Sequence, residues 1–99
     1  MTSKQRAQLR KLANSLPVTL IVGKEGVSDA VVAELNTILE AHELVKGKVL
    51  ENALTSPGTV CDALCEETGA DPVQVIGTKF VVYRQASDPD KRRIVLEKE

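Results

Sequence analysis

Two features of the 99-residue sequence could do chemistry on an anion. The first is Gly23-Lys24-Glu25-Gly26, which stands between an apolar run and a helix signal. Glycines permit positive φ and carry no Cβ, so the backbone can come close to a ligand. The first N–H groups of a helix are unpaired and lie at its positive end, which suits a phosphate. A phosphodiester backbone could sit there with Lys24 as a mobile charge, provided Glu25 points away. The same spacing is also that of an ordinary tight turn. It is not a dinucleotide fingerprint, which needs Gly-x-Gly-x-x-Gly, nor a P-loop, whose Gly-Lys-Ser/Thr ending is absent. The second feature is a basic N-terminal segment. Residues 1–24 carry Lys4, Arg6, Arg10, Lys11 and Lys24 and no acid. Arg6 and Arg10 can pair bidentately with phosphate; the plainer alternative is a solvated helix face.

Other reactive residue types lead away from catalysis. Cys61 and Cys65 share one helical face, but it is the apolar one, and no second Cys or His pair could complete a tetrahedral site. They are expected as small buried thiols, with no metal. His42, the one histidine, falls at the end of a helix and is expected to pack or cap. No nucleophile–base pairing is evident, so no enzyme activity and no cofactor are expected. Phe80 and Tyr83 lie on opposite faces of one strand and cannot form a paired stacking platform. Any nucleic-acid binding should therefore rest on backbone charge and shape.

The elements that must position these residues follow from periodicity and punctuation. Thr2 and Gln5 form a capping box for a helix over about 3–14, with Leu9, Leu12, Ala13 and Leu16 as its stripe. Lys4 and Lys11 fall opposite that stripe, and Arg6 and Arg10 on one flank. Pro17 stops the helix. Residues 18–22 are β-branched and apolar, hence a strand buried on both faces. Ser28 caps a second helix, with Val27 and Val32 as its hydrophobic staple and Leu35, Ile38 and Leu39 in its stripe. Residues 44–50 read as a strand with Lys46 and Lys48 on one face and Val45 and Val49 on the other. Gly47 marks an edge, a bulge or a close contact there. Ser56 and Pro57 open a third helix, which Gly69 ends. Residues 73–77 and 79–84 are two strands joined by a turn at Gly77 and Thr78, and a short basic tail runs from about residue 87. The order α-β-α-β-α-β-β predicts one α/β domain over residues 1–99. It is a two-layer sandwich with parallel pairing and the last strand antiparallel.

Composition agrees with such a domain. At 42% hydrophobic and 27% charged residues the chain is expected to be globular and soluble. It has no run of about 18 apolar residues, so no membrane span is expected. Its first residues lack a signal-peptide core, which makes the cytoplasm the default location. The two cysteines suggest no disulfide framework. Net charge is −1, but residues 25–43 carry five acids and no Lys or Arg, and residues 51–72 are purely acidic. Such segregation can give one small body a basic face and an acidic face. No signal for an oligomer stands out, so a monomer is expected.

Four blocks, "TSKQRAQLRKLA", "VGKEGVSDAVV", "AHELVKGKVL" and "VQVIGTKFVVYR", occur in order. Together they resemble the YhbY family, the stand-alone bacterial form of the CRM (chloroplast RNA splicing and ribosome maturation) domain, over about residues 2–96. The resemblance implies an RNA-binding domain whose Gly-x-x-Gly loop is similar to that of KH domains. It also implies a four-stranded mixed sheet similar to the C-terminal domain of translation initiation factor three. Bacterial members are associated with precursors of the large ribosomal subunit, so large-subunit ribosomal RNA is the implied partner. By position, the RNA-binding residues would be Gly23, Lys24, Glu25 and Gly26 in the loop, Lys4, Arg6, Arg10 and Lys11 on the helix, and Lys46. The chain departs from the family at Gly47, where a β-branched residue is usual, and at Thr78, where a basic residue is common. The alternative is a protein-interaction module that docks on ribosomal proteins or assembly factors through its acidic helices.

Overall fold

The computed structural model describes residues 1–98. Helices and strands alternate as α1 (Ser3–Ala13), β1 (Val18–Val22), α2 (Asp29–His42), β2 (Leu44–Val49), α3 (Pro57–Thr68), β3 (Asp71–Ile76) and β4 (Lys79–Tyr83). Each helix opens on a side-chain cap. The Thr2 hydroxyl accepts from the Gln5 N–H at 3.1 Å while the Gln5 side chain accepts from the Thr2 N–H at 3.0 Å. Ser28 accepts from the Val31 N–H, and Ser56 from the Thr59 N–H with Pro57 in the first turn. Gly69, at φ +76°, ends α3.

The sheet order is β1-β2-β4-β3. β1 and β2 are parallel, and β4 is antiparallel to both its neighbours, as expected of the last strand. Strand alternation divides the sheet into two faces. On the first, Leu20, Val22, Val45, Val49, Phe80 and Val82 pack against Leu35 and Leu39 of α2 and Val60, Cys61 and Leu64 of α3. On the second, Leu44, Val73, Val81 and Tyr83 pack against Leu9 and Ala13 of α1, with Leu16, Ile94 and Leu96 at the margin. The two-layer sandwich is thus the sheet with α2 and α3. α1 and the C-terminal segment add cover to part of the second face.

The structure departs from the sequence expectations at β1 and at His42. β1 is not buried on both faces: Thr19 is exposed and Ile21 is 49% exposed. The reason is position, since β1 is an edge strand and α1 packs over β2, β3 and β4 instead. His42 is neither packed nor capping but exposed at the end of α2. The alternatives at Gly47 are also resolved. β2 is interior, so Gly47 is no edge residue. An added Cβ would run into the ring of its cross-strand partner Phe80, 2.7 Å from Cε1. The aromatic ring fills the space that a β-branched side chain would need.

α2 passes into β2 through Glu43, which is fully buried at φ +66°. Its carboxylate accepts from the backbone N–H groups of Ala86 (2.8 Å), Arg93 (2.6 Å) and Ile94 (2.9 Å). Burial pushes the Glu43 carboxyl up, but the three donors outweigh it and hold it below the usual carboxylate range. Further out, Gln8 exchanges hydrogen bonds with Val95 and Glu97, and the Gln5 side chain donates to the Glu97 carbonyl. The basic tail is therefore docked along α1 and the end of α2 rather than solvated throughout.

Candidate nucleic-acid interface

The buried positions of α1 decide where its cations go. Leu9 and Ala13 face the sheet, which turns Lys4, Arg10 and Lys11 out to solvent and leaves Arg6 half-buried. Lys4 lies 3.9 Å from the Glu97 carboxylate, an exposed pair that is worth little. Arg6, Arg10 and Lys11 have no acid within ion-pair distance among the described residues.

α1 covers only the Leu44/Tyr83 end of the second sheet face. Beyond it the face is open and cationic. Lys46 and Lys48 are half-buried there, and Lys48 stands directly across from Lys79 of β4 and beside Ile21 of β1. Asn14, just past α1, shares one shallow depression with Lys46, Gln74, Ile76 and Lys79. None of these lysines has an acid partner among the described residues. Like charges directly opposite in a sheet are destabilising, and a bound polyanion would relieve the repulsion.

The Gly-x-x-Gly loop lies at the far end of β1. The Gly26 N–H donates to the Gly23 carbonyl at 2.9 Å, so Lys24 and Glu25 are the exposed central residues of a β-turn. Gly26 follows at φ +63° with open space around its Cα. The Ser28 N–H donates to the Gly26 carbonyl, and the Ser28 side chain takes the Val31 N–H. The N–H groups of Asp29 and Ala30 at the start of α2 keep no protein acceptor among the described residues. The segment is thus a tight turn that also leaves two helix-end donors free. Its charge is mixed: Lys24 stands with Glu25 and Asp29.

The site residues expected from the sequence therefore fall into two groups. Lys4, Arg6, Arg10 and Lys11 belong to the α1 half of the face, and Gly23, Lys24, Glu25 and Gly26 to the opposite end. Lys46 lies between them. The helix and the loop do not form one surface by themselves; on the sheet face between them stand Lys48 and Lys79, which were not among the residues expected from the sequence. Lys48 was visible as the period-two neighbour of Lys46. Lys79 was not, because its pairing with Lys48 depends on β4 inserting between β2 and β3.

Arg84 and Glu40 serve the fold. The Arg84 guanidinium donates to Asn36 Oδ1 and to the Thr68 carbonyl, both at 2.7 Å, and pairs with Glu40 at 3.3 Å. Glu40 also accepts from the Ser87 N–H, the main cause that holds its carboxyl below the usual range. With Glu43 buried, two of the five acids between residues 25 and 43 serve the fold. Phe80 and Tyr83 are buried on opposite faces. Cys61 is buried and Cys65 half-buried, and the Cys61 thiol together with burial pushes Cys65 up, away from reactivity. No group of three or more His, Cys, Asp or Glu among the described residues could hold a metal ion.

Comparison with known proteins meets this geometry. The CRS1 / YhbY (CRM) domain matches residues 1–84. The "Probable RNA-binding protein PA4753" of Pseudomonas aeruginosa is 34% identical over 91 residues, 92% of this chain and 88% of that protein. The "Probable RNA-binding protein YqeI" of Bacillus subtilis is 35% identical over 88 residues, 89% of this chain and 92% of that one. The solution structure of SAV1595, a candidate RNA-binding protein from Staphylococcus aureus, superposes with a TM-score of 0.77 at 30% identity. The match covers 96% of this chain and 99% of that one. Sequence, length and fold agree: this chain belongs to the CRS1 / YhbY (CRM) domain family.

Proposed function

We propose that the protein is a non-enzymatic RNA-binding protein that grips the sugar-phosphate backbone of structured ribosomal RNA during assembly of the large ribosomal subunit. The observation that carries this reading is the open half of the second sheet face. Three lysines, Lys46, Lys48 and Lys79, are held there by strand register with no acidic partner among the described residues. Arg10 and Lys11 extend this field on the α1 side. Lys24 and the Asp29 and Ala30 N–H groups extend it at the loop. The RNA-binding relatives support RNA as the polyanion. The large-subunit target rests on the resemblance to the bacterial YhbY family. The protein works as a monomer in the cytoplasm.

With both aromatic side chains buried, binding is expected to rest on shape and charge rather than on bases stacked on aromatic rings. The test is crosslinking of the protein to RNA in cells that make it, with sequencing of the bound fragments. Recovery concentrated in large-subunit ribosomal RNA supports the proposal. Recovery of RNA in proportion to its abundance would refute the ribosomal assignment. No crosslinked RNA at all would refute RNA binding.

A further inference from the structure

A groove of about 430 Å³ lies along the margin of α1, between that helix, β1, the end of α2 and the docked C-terminal segment. This volume is in the range of small-molecule sites, about 300–1,000 Å³. Leu12, Leu16, Ile38, Leu44 and Ile94 make its walls apolar. Its polar groups are the Ser15 and Thr19 side chains, the His42 imidazole and two cations, Lys46 and Arg93. No acid among the described residues lines it; Glu34 borders only the neighbouring depression beyond His42. Leu12, 43% exposed, was expected in the core stripe of α1, and instead it forms an open wall of this groove.

Two observations say what fits. The rim is cationic and acid-free, so the occupant carries negative charge beside an apolar, flat or small body. Lys46 belongs both to this groove and to the open cationic face, so a polyanion on that face passes the groove mouth. From this, and resting on the RNA-binding reading above, we propose that the groove receives one unpaired nucleobase turned out of the bound RNA. Lys46 and Arg93 hold the phosphates on either side of it. The aliphatic walls cover the two faces of the base, as apolar side chains do in sites for extruded bases. The planar Arg93 guanidinium can also lie against the ring. Ser15 already donates its hydroxyl proton to the Leu12 carbonyl at 3.2 Å, so its oxygen is left to accept from a base edge. Arg93 and Ile94 lie beyond the family match, which ends at residue 84. They are placed by the hydrogen bonds of their own backbone N–H groups to buried Glu43. The C-terminal segment thus completes with Arg93 and Ile94 a groove whose other walls belong to the CRM domain.

The probe is an RNA hairpin with a single bulged 2-aminopurine, compared with the same hairpin carrying an abasic bulge. The protein should bind the base-bearing hairpin about tenfold more tightly. The 2-aminopurine emission should rise on binding, because aliphatic walls replace quenching neighbours. Leu12→Gln, which removes an apolar wall, and Ser15→Phe, which fills the groove, should each remove the preference and the emission change. Both should leave abasic-hairpin affinity, circular dichroism and the urea midpoint as they were. Equal affinity of the wild type for the two hairpins, with steep salt dependence intact, would overturn the base site and leave RNA-backbone binding standing. That is also the result if an apolar side chain of a protein partner is the true occupant. Binding to neither hairpin at low salt, with no RNA crosslinked in cells, would overturn both readings.

Discussion

The two faces of the sheet serve opposite purposes. On the α2–α3 face every strand position from Leu20 to Val82 that enters the cluster is apolar and nearly water-free. On the α1 face packing stops halfway, and Lys46, Lys48 and Lys79 follow in register. One face repays burial with packing. The other keeps like charges opposed without an acid between them, which an apo domain gains nothing from. The contrast teaches that the second face was not left open for want of cover, since the molecule docks a C-terminal segment on the neighbouring half.

The largest effect should come from forcing the closed face. Gly47→Val drives its side chain into the Phe80 ring and should cost about 3 kcal/mol or more. Urea unfolding measures it. A change within about 0.5 kcal/mol would mean that Phe80 moves aside freely.

Replacing Lys46, Lys48 and Lys79 together by Gln tests the open face. RNA affinity should fall by one to two orders of magnitude at moderate salt. The slope of log affinity against log salt should flatten by roughly 2–3, the release of about three counterions. Stability should hold or rise slightly, because repulsion is removed. An unchanged salt slope would move the interface elsewhere.

The two faces also differ in how far local sequence patterns reveal them. The α2–α3 face was legible because alternation at Val45 and Val49 and the helical stripe of Leu35 and Leu39 are local patterns. All three caps were legible for the same reason. The burial of β1 was misread because an apolar run does not say which strand is at the edge. Glu43 was invisible: a charged residue between a helix and a strand reads as a surface linker. Its burial depends on backbone donors about 50 residues away. The candidate site was half legible. Its cations could be named, but the order β1-β2-β4-β3 that gathers Lys48 and Lys79 could not.

Glu43→Gln separates cover from charge on the second face. The amide can accept from some of the three backbone donors but must set its NH2 against another. The cost should be about 1–3 kcal/mol. Because folding lowers the Glu43 pKa, its contribution is present above the unfolded carboxylate pKa and is lost as pH falls through the folded value. The wild type should therefore lose more stability than the variant as pH falls below the ordinary carboxylate range. Parallel pH profiles would mean that the carboxylate charge is not what the tail is tied to.

The smallest effects belong to the loop, where the charges nearly cancel. Lys24→Gln should weaken RNA binding about threefold and flatten the salt slope by roughly one, since one phosphate contact is lost. Glu25→Gln should do the reverse and tighten binding by about two- to threefold, because it removes a carboxylate from the turn that carries Lys24. Both residues are exposed at the centre of one β-turn, so neither change should move the urea midpoint. Opposite signs from adjacent residues, at constant stability, can arise only if this turn lies within the field of the bound RNA. If both variants bind as the wild type does, the Gly-x-x-Gly segment is a turn and nothing more, and the lysines of the open sheet face carry the interaction without it.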